Sequence, residues 1–296
     1  MAKSIQIRLA IAAWYDYEIW QMDVKTAFLN GFVEKEIFMD QPEGFTAVGE
    51  EQKMLGDIKA WLSTQLSMKD MGEASYIFGI KIYRCTRHDV AYALSVTRRY
   101  QACTGKTNWD AVKSILKYLK RSKDMFLIYG GGELILEGYS DASFQSDDDD
   151  AKSQSDFIFK FNGGVVAWKS SKQDTTTDST TEAEYIAASK AAKEAVWMKY
   201  YIQELGVVPS IVEPVVIFCD NNGAIAQAKE PRSHHRSKHI LRRYHLLREM
   251  VSKGDCRMDR VSSAENTADP LTKLMSQIAH TQHLDKMGLR SMGDCL

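Results

Sequence analysis

Apolar and polar positions follow a clear pattern mainly in the second half of the chain. The segments Glu137–Phe144, Phe157–Phe161 and Val165–Lys169 have the composition and spacing of β-strands, and Phe161-Asn162-Gly163-Gly164 supplies a glycine-bearing hairpin turn. Pro214–Cys219 is short and almost entirely apolar, which is typical of a strand buried on both faces. The pattern therefore predicts three strands, of which the second and third form a hairpin, and a fourth strand that is buried on both faces.

Helical patterns alternate with these strands. A long helix is predicted from about Thr180 to Leu205, where Gly206 ends it, and shorter helices are predicted over Gly223–Lys229 and about His239–Lys253. A strand near Arg257–Val261 and a helical turn around Asp269 follow. The order predicts an α/β fold, with a mixed five-stranded sheet flanked by helices.

The first half is less continuous. Residues 1–45 alternate apolar and charged segments, and residues 57–84 pass from a helical pattern through a glycine break at Gly72 to a strand-like run at 76–83. An amphipathic helix is predicted over residues 108–121. Its apolar stripe consists of Val112, Ile115, Leu116 and Leu119. The connections at 46–56 and 84–88 are abrupt, so the first half is hard to interpret as one continuous domain.

Composition narrows the class of protein only a little. The 296 residues are 44% hydrophobic and carry a formal net charge of −1, so charge alone neither favours nor excludes a nucleic-acid partner. Five scattered cysteines without a C-x-x-C pair favour reduced thiols. With no apolar run near the length of a membrane span, we expect a soluble intracellular protein, in cytoplasm or nucleus, without membrane contact.

Three aspartates stand at the ends of predicted elements. Asp141 lies in the first strand, Asp220 closes the buried strand, and Asp269 begins the last helical segment. A carboxylate at the end of a buried strand costs free energy unless it is solvated, paired or bound to a metal ion.

The long helix offers two glutamates, and helical geometry separates them. Steps of three and four residues from Glu184 reach only apolar positions, namely Ala188, Ala191, Ala195, Met198, Ile202 and Leu205. Glu184 therefore heads the face that packs on the sheet. Glu182 lies about 200° away around the helix, faces solvent and completes a capping box with Ser179.

Four gathered carboxylates repel one another unless cations bridge them. Two divalent ions would offset this charge and would stabilise the attacking and leaving oxygens of a phosphodiester. We therefore expect two Mg²⁺ ions, with Mn²⁺ as the alternative, and no small-molecule cofactor.

The run from Glu137 to Leu274 resembles the ribonuclease H (RNase H) domain of copia-type retrotransposon polyproteins. The resemblance rests on GYSDASF, GGVVAWKSSKQ, STTEAEYIAAS, CDNNGAIAQAKEP, HRSKHI and ADPLTK. It implies that Asp141, Glu184, Asp220 and Asp269 form the metal-binding catalytic set, and that the substrate is an RNA–DNA hybrid. It divides the chain into reverse-transcriptase remnants at 1–56 and 57–136, an RNase H domain at 137–275 and a tail at 276–296.

A second resemblance concerns the first half. Residues 21–31 (QMDVKTAFLNG) resemble the first metal-binding motif of copia-type reverse transcriptases, which implies a catalytic role for Asp23 and a nucleotide-gating role for Phe28. The second motif of the family, a tyrosine-x-aspartate-aspartate hairpin, is absent from the sequence. We therefore predict an inactive, truncated polymerase, although a partner that supplied the hairpin would restore it.

Basic residues indicate where nucleic acid would bind. We expect phosphate contacts, which give affinity without sequence preference. The residues predicted to bind nucleic acid are Lys169, Lys172, Arg236, Lys238 and His239. A solvated basic helix face explains neighbouring arginines equally well. A zinc site made by His234, His235, His239 and His245 is disfavoured, since no cysteine pair lies nearby.

Three departures from the family pattern concern the same domain. Asp156 stands where a glycine is expected, and no histidine occurs between Gly254 and Asp269, where many RNases H carry a mobile one. The acidic run Asp147–Asp150 is interpreted as a solvated loop. The alternative to an active RNase H is a non-catalytic nucleic-acid-binding relic of the polyprotein.

Overall fold

A computed structural model describes residues 2–17, 20–24, 68–73, 76–77, 80–81, 87–100, 105–147, 149–230, 244–273 and 275–291. The chain divides into two compact units, one formed by residues 1–17 and 83–296 and the other by residues 18–82. The helices are α1 (Ala2–Tyr15), α2 (Ala91–Arg99), α3 (Lys106–Arg121), α4 (Thr180–Leu205), α5 (Asn222–Lys229), α6 (Leu246–Lys253) and α7 (Gln277–Lys286). The strands are β1 (Trp20–Val24), β2 (Met68–Glu73), β3 (Tyr76–Ile77), β4 (Ile80–Lys81), β5 (Met125–Leu127), β6 (Glu137–Ser143), β7 (Gln154–Phe161), β8 (Gly164–Lys172), β9 (Val215–Cys219), β10 (Cys256–Arg260) and β11 (Leu289–Ser291).

A mixed five-stranded sheet forms the centre of the larger unit. Its strand order is β10-β9-β6-β7-β8. The strands β6, β7 and β8 run antiparallel, whereas β9 is parallel to both β6 and β10. This arrangement confirms the predicted mixed five-stranded sheet, in which three antiparallel strands are extended by two parallel strands.

The hairpin between β7 and β8 turns at the two predicted residues. Asn162 and Gly163 adopt φ values of 49° and 78°, the left-handed pair that matches the twist of antiparallel strands. The strand β7 begins at Gln154, three residues before the predicted Phe157. The residues at 154–156 are polar but buried, so they were not recognisable as strand from an apolar pattern.

Helix α4 has the predicted bounds because both of its ends are capped. The Ser179 hydroxyl accepts the Glu182 amide at 3.2 Å, and Gly206 ends the helix with φ 68°. The Glu182 carboxylate accepts the Asp178 amide at 2.9 Å instead of the Ser179 amide of a standard capping box.

The two faces of the sheet have separate cores. On one face, Phe157 and Phe159 pack against the alanine-rich side of α4, where Ala188, Ala191 and Ala195 are fully buried. The short alanine side chains allow the helix to lie close to the sheet. On the other face a smaller cluster, Ile158, Val165, Leu271 and Met287, packs against Ala91, Leu127 and Trp168.

Residues from outside 137–275 complete the first of these cores. Ile7, Ala10 and Ile11 of α1 belong to the same buried cluster as α4. The Asn162 side-chain amide donates to the Ala10 carbonyl at 2.8 Å, and the Tyr15 hydroxyl donates to the Val207 carbonyl at 2.7 Å. The N-terminal helix is therefore an integral part of the larger unit, although the division of the chain by resemblance assigns it to a different remnant.

Helix α3 confirms the amphipathic prediction except at one position. Ile115 is buried, but Leu116 is 58% exposed. A short hydrogen-bonded network attaches the helix to the 3-10 turn His88–Val90. Tyr118 donates to the Asp89 carboxylate at 2.5 Å, and Arg87 pairs with the same carboxylate at 2.6 Å.

In the smaller unit, β1 pairs antiparallel with β2, and β3 pairs antiparallel with β4. Asp23 is the backbone partner of Lys69 in this ladder. Gly72 lies within β2 and does not interrupt it, so the predicted break is wrong. Phe28 and the predicted helical pattern that begins at residue 57 lie outside the described residues.

Candidate metal centre

Four separate elements bring the four predicted acids together. Asp141 lies in β6, and Asp220 directly follows the parallel neighbour β9. Glu184 lies in the second turn of α4, which crosses this sheet, and Asp269 begins a 3-10 turn that contacts β6. Carboxyl ends of adjacent parallel strands meet at one edge of a sheet, which explains why Asp141 and Asp220 are neighbours.

Glu184 is held against the end of β6. Its side chain is buried, and its Oε1 atom accepts the Ala142 amide at 3.2 Å. Burial raises the pKa of this carboxyl well above its ordinary value, and the charges of Asp141 and Asp220 raise it further. Glu184 therefore lies close enough to Asp141 and Asp220 to be repelled by their charges.

Asp141 is the most buried of the four acids. It is 3% exposed, the Thr272 hydroxyl donates to its Oδ2 atom, and the Asn266 amide lies 3.5 Å from its Oδ1 atom. Burial raises the pKa of this carboxyl, and although the Thr272 hydrogen bond lowers it, the charges of Asp269 and Asp220 raise it. Both supporting residues come from the segment around Asp269.

The other two acids have partners of their own. Ser263 donates to the Asp220 Oδ2 atom at 2.6 Å, and Lys273 forms an ion pair with Asp269 one helical turn away. The site predicted from the sequence did not include Asn266, Thr272, Ser263 or Lys273. Their closeness to Asp269 along the chain was the available signal, because residues that orient a metal ligand commonly lie beside it.

The donor atoms fit a divalent ion that prefers oxygen. Among the described residues, possible ligand atoms of Glu184, Cys219 and Asp220 lie within 4.8 Å of one another. Burial raises the pKa of the Cys219 thiol to about 12, and the Glu184 charge raises it too, so this sulfur stays protonated and is a poor ligand. The remaining donors are carboxylate oxygens, which suit Mg²⁺ or Mn²⁺.

Asp156 places a fifth carboxyl group beside this set. It is the cross-strand partner of Asp141, and it is fully buried. Its Oδ1 atom accepts the Ser171 amide at 3.1 Å, whereas its Oδ2 atom lacks a hydrogen-bond partner in the described part of the chain. Burial raises the pKa of Asp156 well above its usual range, and the Asp141 charge adds to the effect although the Ser170 hydroxyl opposes it.

The acidic run is not a simple solvated loop, and that interpretation is wrong for Asp147. Asp147 is 3% exposed and pairs with Arg99 at 2.6 Å and with Lys172 at 2.9 Å. Arg99 also donates to the Gln154 side chain, which in turn donates to Asp156 at 3.3 Å. A buried polar network therefore links helix α2 to the strand that carries Asp156.

The predicted nucleic-acid contacts have different surroundings. Lys169 is exposed. Lys172 pairs with Asp147 and with Asp150, each at 2.9 Å, so it would have to exchange these partners for a phosphate. Arg236, Lys238 and His239 lie outside the described residues, as do the other members of the disfavoured zinc site except His245.

The comparisons with known proteins agree with the sequence motifs. Residues 1–55 match the family model "Reverse transcriptase (RNA-dependent DNA polymerase)". The Pol polyprotein of transposon TNT 1-94 from Nicotiana tabacum is 30% identical, over 92% of this chain and 31% of its own length. Over most of its length the chain is similar to Pol polyproteins of copia-type transposons. The Pol polyprotein of transposon RE2 from Arabidopsis thaliana is 35% identical, over 69% of this chain and 14% of its own length. The chain therefore spans about a third or less of the length of these two polyproteins.

A shorter relative matches the chain as well. The secreted RxLR effector protein 161 of Plasmopara viticola is 41% identical over 114 residues, which cover 38% of this chain and 80% of that protein. A segment of this chain therefore matches most of the length of that effector protein.

Solved structures of RNases H are also similar to this chain. RNase H1 of Halobacterium salinarum is 18% identical, with a TM-score of 0.35, over 46% of this chain and 92% of its own. LC11-RNase H1 is 14% identical, with a TM-score of 0.36, over 51% of this chain and 99% of its own. The description of the larger unit as a mixed five-stranded sheet rests on its own strand order, β10-β9-β6-β7-β8. Within the described part of the chain, no helix is long and apolar enough to cross a membrane.

Proposed function

We propose that the larger unit is a metal-dependent RNase H that cleaves the RNA strand of RNA–DNA hybrids, and that the reverse-transcriptase remnant is inactive. The observation that carries this proposal is that four elements bring Asp141, Glu184, Asp220 and Asp269 to one edge of the sheet, where possible ligand atoms of Glu184 and Asp220 lie within 4.8 Å of each other. Lys273 pairs with Asp269 and is one cation beside these four carboxyls, so their mutual repulsion makes the cluster unfavourable unless further cations bind.

The four carboxylates would hold the ions, and their neighbours would hold the carboxylates. When bound, two divalent ions activate a water molecule and stabilise the charge on the leaving oxygen. Thr272 and Asn266 orient Asp141, the Ala142 amide orients Glu184, and Ser263 orients Asp220. In the reaction the water oxygen forms a bond to phosphorus and the bond from phosphorus to the 3′-oxygen breaks, which leaves a 3′-hydroxyl and a 5′-phosphate.

Loss of polymerase activity is supported by the absence of the second motif, the tyrosine-x-aspartate-aspartate hairpin, from the sequence. The alignment with the TNT 1-94 polyprotein extends over 412 positions, more than the 296 residues of this chain, so it includes positions that this chain lacks. Without both metal-binding aspartates, Asp23 would have no counterpart with which to position two ions. We therefore expect no template-directed DNA synthesis by the purified full chain.

The test is cleavage of an RNA–DNA hybrid, labelled on the RNA strand, by the full chain with Mg²⁺. We expect the native chain to cleave, and Asp220→Asn to lose cleavage while it keeps its far-UV circular dichroism and its melting transition. Cleavage by Asp220→Asn equal to that of the native chain would contradict the proposed site. A folded native chain without activity would favour the non-catalytic relic, with Asp156 as the first residue to revert to glycine.

A further inference from the structure

Helix α3 carries a row of lysines on its exposed side. At 100° per residue, Lys106, Lys113, Lys117 and Lys120 fall within about 60° of the helix circumference, and they extend along about 21 Å of its axis. All four are exposed. This set is called the lysine stripe below.

The lysine stripe lies opposite the side by which the helix packs. Ile115, the buried residue of α3, is on the far side, about 180° from Lys106. Asp110 is the one acid in the helix, and it pairs with Lys113 at 3.2 Å. The stripe therefore keeps most of its positive charge and faces solvent.

An apolar border runs along one side of the lysine stripe. Trp109 and Leu116 are each 58% exposed, and the Lys113 ammonium lies 5.7 Å from the centre of the Trp109 ring. Single exposed apolar residues are common on protein surfaces, so the charge of the lysine stripe, and not this border, is the feature that a duplex would bind.

The structure connects this helix to the metal centre. Tyr118 of α3 and Arg87 both bind Asp89 of the 3-10 turn His88–Val90. That turn contacts the 3-10 turn that begins with Asp269. The lysine stripe is therefore held by the same folded unit as the carboxylates, one element away from Asp269.

We propose that the lysine stripe binds the phosphate backbone of the nucleic-acid duplex that the larger unit cleaves. This inference rests on the proposed function for the identity of the duplex. Regularly spaced ammonium groups along about 21 Å complement a row of phosphates, which gives affinity without sequence preference.

The experiment measures binding separately from catalysis. The full chain in EDTA binds a fluorescein-labelled RNA–DNA hybrid, and the dissociation constant is followed by anisotropy at several salt concentrations. The test variant is Lys117→Gln with Lys120→Gln. The control is Lys193→Gln with Lys253→Gln, which removes the same charge from exposed positions of α4 and α6. Glutamine has nearly the helix propensity of lysine, and a melting curve of each variant checks that the fold is kept.

Each lost phosphate contact lowers the slope of log affinity against log salt by about 0.7–0.9. We expect the test variant to lose about 1.5 from this slope and to bind roughly tenfold more weakly at low salt, whereas the control keeps the native slope. An unchanged slope in the test variant, or an equal change in the control, would overturn the proposal. The proposal would also be overturned if the test variant bound vesicles of anionic lipid more weakly than the native chain does but bound the hybrid equally well.

The outcome is independent of the proposed activity. A folded chain that cleaves hybrids but keeps its slope in the test variant would refute the lysine stripe alone. A chain that loses slope in the test variant without cleaving hybrids would support the stripe and refute the nuclease.

Discussion

Asp141 and Asp156 are cross-strand partners in the antiparallel ladder of β6 and β7, so two carboxyl groups share one face of the sheet. Directly opposed residues in such a ladder have Cβ atoms about 5 Å apart. Both groups are buried, and the pKa of each lies above its ordinary value mainly because of burial. The residue that departs from the family pattern is therefore the immediate neighbour of a proposed metal ligand.

Asp156→Asn should stabilise the protein at neutral and alkaline pH. A carboxyl whose pKa is raised in the folded state destabilises the fold once the pH exceeds its value in the unfolded chain, near 4. Asparagine removes this cost and still accepts the Ser171 amide. We expect a higher melting temperature for the variant, with a larger gain at pH 8 than at pH 5.

Asp178→Asn is the control for this experiment, because Asp178 is exposed and should show no such gain. A melting temperature for Asp156→Asn equal to or below that of the native chain at pH 8 would show that the carboxylate has a partner that the hydrogen-bond network does not include.

The metal-free protein should lose stability as the pH rises. The pKa values of Asp141 and Glu184 are raised in the folded state, so the unfolded chain releases these protons first and is favoured from about pH 4 upward. We expect the free energy of unfolding in EDTA, measured with urea, to fall between pH 5 and pH 8.

Mg²⁺ should reverse this trend, because the ion competes with the protons and binds the ionised carboxylates. The Mg²⁺ concentration needed for half-maximal stabilisation should accordingly decrease as the pH rises. A value independent of pH would mean that the ion does not displace these protons.

Glu184→Gln should abolish hybrid cleavage, and Glu182→Gln should not. The two residues are two positions apart in α4, but Glu184 is coupled to Asp141 and Asp220 whereas Glu182 caps the helix. We expect a loss of about 10² or more in the cleavage rate for Glu184→Gln. Comparable losses in both variants would indicate that the helix N-terminus, and not one carboxylate, controls activity.

Arg99→Ala should destabilise the larger unit by about 3 kcal/mol, since it leaves the buried Asp147 with only Lys172 as a strong partner. Urea unfolding of Arg99→Ala, Asp147→Asn and the double variant would form a double-mutant cycle. We expect the double variant to be less destabilised than the sum of the single variants. Strict additivity would show that the two side chains do not interact in solution.

Ile7→Ala should destabilise the same unit by roughly 2–5 kcal/mol, although residue 7 is far in sequence from the RNase H segment. Ile7 is fully buried in the core that also contains α4. The control Ala13→Gln changes an exposed position of the same helix and should leave the urea midpoint unchanged. Equal midpoints for Ile7→Ala and the native chain would mean that α1 does not pack on this core.

The sequence by itself predicted most elements between residues 137 and 275, and it singled out the four acids proposed as the site. Helix α4 could be predicted to the residue because Ser179 and Gly206 are local signals, and the two-residue turn at Asn162 and Gly163 is equally local. The distinction between Glu182 and Glu184 followed from helical periodicity alone, since 200° around a helix separates a capping residue from one that faces the sheet.

Only the tertiary structure decided which polar residues are buried together. Asp147 has the sequence context of a solvated loop, yet Arg99, 48 residues earlier, pairs with it and buries it. The role of α1 in the core was likewise hidden, because its partners lie more than 150 residues away. Contacts of this kind depend on strand register and helix docking, which a local pattern does not contain.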